Sequence, residues 1–164
     1  MPTKRKKSDK QHPRKFLVVI DGTPECERAV LYASKRARNT GGKLVMLYVI
    51  QPGDFQHWLG VEDIMRAEAT DEGQKVLAEF SEKAVACAGI EPETIIREGQ
   101  RADEILGAIE DDPMISILVL AAGTDNEGPG PLVTTLAGRA SGTFPVPITV
   151  VPGNLADEDI EAVT

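Results

Sequence analysis

Five short strand-like segments, most of them apolar runs, separated by stretches whose apolar residues recur at helical spacing, constrain this chain more than any other feature. Phe16-Leu-Val-Val-Ile20 is continuous rather than alternating, the pattern of a strand covered on both faces. Residues 44–50, 93–98, 115–121 and Val146-Pro-Ile-Thr-Val-Val151 give four more strands. After the first run, Thr23 offers a helix N-cap and Pro24 a first helical turn. Ala29, Val30, Ala33 and Ala37 then share one face until Gly41-Gly42. A long helix is expected over 61–88, with Val76, Leu77, Phe80, Ala84, Val85 and Ala88 turned inward, Gly89 as C-cap and Gly73 as a point of weakness. Residues 102–110 place Ile105, Leu106 and Ile109 inward and stop at Asp111-Asp112-Pro113, and a last helix begins near Pro131. Strict strand-helix alternation of this kind means an α/β fold: a single doubly wound, mainly parallel five-stranded sheet with right-handed crossovers. The expected order is 3-2-1-4-5. It opens a crevice beyond Ile20 and Ala121, where Asp21-Gly22-Thr23 and Gly123-Thr124-Asp125 lie.

A chain of 164 residues is long enough for one core without covalent staples, and 41% hydrophobic with 27% charged residues fits a globular domain. Two cysteines, Cys26 and Cys87, make no disulfide framework or metal-ligand pattern. No apolar run has the length of a secretory signal or a membrane span, so the chain reads as cytoplasmic. Cys26 lies near a helix start, but Glu25 and Glu27 oppose thiolate formation, and it reads as a buried or idle thiol.

The net charge of −8 is unevenly placed. Residues 1–15 hold Lys4, Arg5, Lys6, Lys7, Lys10, Arg14 and Lys15 against Asp9 alone, whereas residues 16–164 hold 11 basic and 25 acidic residues, a net −14. A body of that sign repels a phosphate backbone, and aromatic residues at 4% leave little for base stacking, so nucleic acid is excluded as its partner. The chain divides into a basic flexible tail (1–14), a domain (15–152) and an acidic tail (153–164) with at most a short helix.

A carboxylate ending strand one, beside a glycine-rich turn into a helix N-terminus, suits a nucleotide: glycines let amides approach phosphate, and Asp21 accepts hydrogen bonds from ribose or base. The competing reading is plain turn chemistry for Asp21-Gly22 and a helix start for Gly128-Pro-Gly-Pro131. Phe55, His57 and Trp58, in the loop after strand two, read as packing under that loop or at a dimer contact, with a lid over the crevice as the alternative.

Phe16-Leu-Val-Val-Ile-Asp-Gly-Thr23, Leu47-Tyr-Val-Ile50, Arg97-Glu-Gly99, Ile117-Leu-Val-Leu-Ala-Ala-Gly123 and Val146-Pro-Ile-Thr-Val-Val151 together resemble a universal stress protein domain. The resemblance implies a fold of the adenine-nucleotide alpha-hydrolase type and a stress-response regulator. It also implies a homodimer joined through the last strand, and binding of ATP or AMP with Mg²⁺ in some members. The counterparts of Asp21 and Val49 contact ribose or adenine, and Gly22, Thr23 and Gly123 fall beside them. ATP-binding members carry G-x-x-G, nine residues, then G-S or G-T after strand four. Here Gly123 is followed by Gly128 and Gly130. One alignment leads to Gly138 with Arg139 in place of the hydroxyl; a second, ungapped from the last strand, places Thr134 and Thr135 there. The resemblance names no client protein and implies no structural metal.

Rival enzyme classes find no support in these residues. His12 and His57 have no histidine partner at H-x-x-H spacing, Asp21-Gly22-Thr23-Pro24 replaces a Ser-Gly-Gly phosphate loop, and Glu98-Gly99 stands where a phosphoacceptor aspartate would end strand three. Slow ATP hydrolysis is the most that the resemblance allows. The alternative is a nucleotide-independent interaction module, with Pro147 marking the last strand as an edge and Ile148 and Val150 making that edge apolar.

Overall fold

The computed structural model describes residues 3–52 and 61–164; Phe55, His57 and Trp58 lie outside them. Five parallel strands, β1 (Lys15–Ile20), β2 (Lys43–Ile50), β3 (Glu93–Glu98), β4 (Ile115–Ala122) and β5 (Ile148–Pro152), form one sheet in the order β3-β2-β1-β4-β5. The order is the one the alternation of periods predicts. Central β1 is buried along Phe16–Ile20 because it is flanked by β2 and β4 and covered on both faces.

Helices α1 (Cys26–Thr40) and α2 (Val61–Ala88) cover one face, and α3 (Arg101–Asp111) covers the other. Alternate residues of β1 divide accordingly: Phe16, Val18 and Ile20 pack with Ala29, Ala33 and Leu77, while Leu17 and Val19 pack with Ile105 and Ile109. Helix α1 ends as expected at Gly41, whose φ of 67° gives the left-handed C-cap. Its start differs from expectation. Glu25, not Thr23, is the N-cap, and Thr23 instead donates to Asp21 Oδ1 through its amide (2.9 Å) and hydroxyl (2.5 Å). That turn outcompetes capping because the aspartate lies two residues away.

Gly73 does not break α2. It is buried where the helix crosses Tyr48. Leu77 and Ala84 are inward as expected, but Val85 is 44% exposed, because the helix overhangs the β3 edge there. In α3, Ile105 and Ile109 are fully buried, Leu106 is only half-buried, and Ala108 takes an inward place.

After β4 the chain forms a loop and then, from Pro131, a helix that widens into a π-helix over Val133–Arg139, closed by Ala140 N–H donating to Thr135 O at 2.9 Å. Leu136 anchors it against β4 on the α3 face. Pro147 lies before β5 rather than in it, and its carbonyl accepts from Leu118 N at 3.0 Å.

The described residues near both ends of the chain lie against the domain. Arg5 Nη1 donates to Ile109 O (2.5 Å) and Asp112 O (2.9 Å), supplying a cation at the carbonyl end of α3. At the other end Asp157–Val163 forms α4, which seats Ile160 at 0% exposure and pairs Asp157 with Arg28 and Glu161 with Lys35 and Arg38 of α1. The acidic sequence is thus partly neutralised by a basic face of α1 and is not wholly solvated.

Candidate functional site

The crevice lies beyond the carboxyl ends of β1 and β4. There the chain turns to α1 on one face and to the π-helix on the other, so the two connections diverge and leave a gap. Two adjoining cavities fill it, sharing Thr23, Glu25, Gly130 and Pro131. The inner, about 60 Å³, is lined by Val19, Asp21, Cys26, Leu120 and Arg101 among others. The outer, about 550 Å³, is lined by Gly123, Asp125, Glu127, Thr134, Thr135 and Arg139 together with the shared residues and Gly128.

Asp21 is fixed by the same turn that displaced Thr23 from its capping role. Oδ1 accepts from the Thr23 amide and hydroxyl, so Oδ2 takes neither of those bonds, and the residue lines the inner cavity. Across the crevice, Gly128 and Gly130 adopt φ of 98° and 104°, conformations that L side chains rarely take. Gly123 N donates to Pro129 O at 3.0 Å, closing the loop on itself. Pro131 then opens the helix whose first-turn amides face the loop end, an arrangement suited to an anion.

The expected site residues separate into two groups. Asp21, Thr23, Gly123, Gly128, Gly130, Thr134, Thr135 and Arg139 line the cavities. Thr134 Oγ1 donates back to Gly130 O at 3.0 Å. Gly22 is exposed and lines neither cavity, Val49 is buried in the core beneath α3, and Gly138 lies on the solvent side of the π-helix. The two alignments of the phosphate loop therefore meet in space: Thr134 and Thr135 from one and Arg139 from the other face the same cavity.

Three residues of the site carry no motif. Arg101 enters from the start of α3, Glu25 from the turn before α1, and Glu127 from the loop. A Cβ built on Gly123 would lie 3.2 Å from Glu25 Oε1, so this carboxylate sits directly over the first glycine of the loop. Cys26 is buried beside it, with Sγ 3.7 Å from Val19 O. Burial pushes its thiol up to about 12, and it has no role as a nucleophile at neutral pH.

A nucleoside with one phosphate fits this chemistry: an acceptor for a hydroxyl or amino group, a helix N-terminus, and two guanidinium groups. Mg²⁺ has less to hold it, since among the described residues no three His, Cys, Asp or Glu side chains group as metal ligands. A larger groove of about 920 Å³ runs between α2 and the β3 edge, lined by Leu77, Val85, Pro92 and Ile96 with Glu82 and Glu91. It lies away from the switch point and lacks any lysine or arginine or a glycine loop, so the crevice is the stronger site.

Among the described residues no helix is long and apolar enough to cross a membrane. No curated protein matches the sequence. Among solved structures, the chain is similar to the universal stress protein UspA from Lactobacillus plantarum (18% identity, TM-score 0.69, covering 84% of this chain and 97% of that one). It is similar to a universal stress protein family protein from Arabidopsis thaliana with AMP bound (21%, TM-score 0.60, 89% and 95%). A third is the universal stress protein from Archaeoglobus fulgidus in complex with dAMP (16%, TM-score 0.57, 85% and 98%). Identities at this level show a shared fold. The model of the universal stress protein family matches residues 12–152, spanning all five strands and the crevice, and the chain belongs to that family.

Proposed function

We propose that this protein is a cytoplasmic regulator of the stress-response type that binds an adenine nucleotide in the crevice beyond β1 and β4. The observation that carries the reading is that Asp21 in the inner cavity and the Gly128 and Gly130 loop with the helix start at Pro131 around the outer one lie in the same crevice, the two cavities adjoining through Thr23, Glu25, Gly130 and Pro131. Similar structures with AMP and dAMP bound support adenine as the base. Asp21 Oδ2 would accept from the ligand's sugar or base, and the first-turn amides with Arg139 would hold phosphate. Edge strand β5, with Ile148 and Val150 half-buried, supports a homodimer through the last strand.

Isothermal titration of nucleotide-stripped protein with AMP tests the site: saturable binding is the expected result. Its absence would favour the second reading, an interaction module of the same fold that uses no nucleotide. The carboxylates of Glu25, Asp125 and Glu127 around the loop favour that alternative. Light scattering tests the dimer, and a monomer throughout the micromolar range would count against pairing at β5.

A further inference from the structure

We propose that the crevice selects a nucleoside monophosphate over the triphosphate, and that Glu25 is the residue that sets the selection. The proposal rests on the adenine-nucleotide reading of the site and goes further by naming the ligand's charge class. Glu25 lines both cavities, and its Oε1 lies 3.2 Å from where a Cβ on Gly123 would be. The side chain is held from beneath by backbone: a Cβ on Gly153 would meet Glu25 Cβ at 2.9 Å and Ala122 O at 2.5 Å, so the close approach of Gly153 fixes the floor on which Glu25 stands. Among the described residues its carboxylate has no ion-pair partner.

The outer cavity gathers three carboxylates, Glu25, Asp125 and Glu127, against one guanidinium, Arg139. One Asp125 oxygen is committed to the Glu127 amide at 3.0 Å, which keeps both acids on the loop wall. Arg101 lies in the inner cavity beside Asp21. A phosphate monoester brings a charge of about −1.5 to −2 near neutral pH. Arg139 and a helix N-terminus of about half a positive charge can balance that. Each further phosphate adds negative charge beside Glu25, Asp125 and Glu127, and among the described residues Arg139 is the one lysine or arginine lining that outer cavity. In a partly shielded cavity this like-charge repulsion outweighs the added hydrogen bonds.

The test is calorimetric titration of the full-length, nucleotide-stripped protein with AMP and with ATP, each with and without Mg²⁺, at low and raised salt. ATP is expected to bind about ten-fold or more weakly than AMP, equivalent to about 1.4 kcal/mol, and the gap should narrow with salt. In Glu25→Gln the AMP-to-ATP affinity ratio should fall at least about three-fold, with Glu127→Gln moving it the same way and melting temperatures confirming that both variants fold. ATP binding as tightly as AMP, with or without Mg²⁺, or a ratio unmoved in both variants, overturns the selection while leaving nucleotide binding in place. Binding of neither ligand overturns the adenine-nucleotide reading itself, and the selection with it.

Discussion

A methyl group on Gly73 would lie 2.7 Å from Cδ1 of Tyr48. The glycine is where α2 crosses β2, and its missing side chain is what lets the helix approach the strand closely enough for Leu77 and Ala84 to reach the core. Helix propensity alone favours alanine by about 1 kcal/mol. Forcing a methyl into the ring opposes it by about 1–3 kcal/mol. Gly73→Ala should therefore destabilise the protein, seen as a lower urea midpoint at unchanged slope. An increase in stability would show that the helix shifts freely over Tyr48.

Ile160 is fully buried and is the residue that seats α4 on the domain. Ile160→Ala should lower unfolding stability by about 2–5 kcal/mol, the usual cost of truncating a buried isoleucine. A change near zero in chemical denaturation would mean that the C-terminal helix is not docked in solution.

The charge pairing around α4 makes a pH prediction. Hydrogen bonding to Lys35, reinforced by Arg38, holds the Glu161 carboxyl below its ordinary value of 4.5. A depressed folded-state value gives stability that is present above the unfolded value and lost as pH falls through the folded one. Between pH 6 and 2, native protein should lose more stability than Glu161→Gln, and the two should converge at the acid end, where Glu161 is protonated folded or unfolded. Parallel curves throughout would remove the pair from the stability account.

Cys26 and Cys87 should differ little from inert. Burial raises both thiols, Cys26 to about 12, and at Cys87 nearby Lys35 opposes the rise. An aromatic disulfide reagent at pH 8 should modify at most Cys87, slowly, in native protein and both thiols after denaturation. Rapid reaction of two thiols in the folded state would contradict the burial of Cys26.

Asp21→Ala should weaken AMP binding by about ten-fold or more, since a charged acceptor to a ligand contributes roughly 1–3 kcal/mol. Its effect on folding should be confined to the local turn with Thr23. Unchanged affinity would move the ligand away from the end of β1.

Strand order and most element limits are legible in local patterns of residues. Continuous runs such as 16–20 and one-face helical spacing such as Ala29, Val30, Ala33 and Ala37 are local patterns, and the observed ends of α2 and β3 match those read from them. The sequence also placed Asp21 and Gly123 at the switch point, because topology follows from alternation. What it could not decide were pairings between distant positions. Thr23 has the chemistry of a cap, yet its partner is Asp21. Gly73 resembles a helix breaker until Tyr48 is packed on it. Residues 157–163 read only as an acidic tail with at most a short helix, because Arg28, Lys35 and Arg38 are more than a hundred positions away. Glu25, Arg101 and Glu127 belong to no motif and meet only when three connections converge on one crevice. Local periodicity is written in neighbouring residues. The charge balance of a site is set by which distant loops the folded sheet brings together, and it is the packed fold that gathers Glu25, Asp125 and Glu127 around the glycine loop after β4.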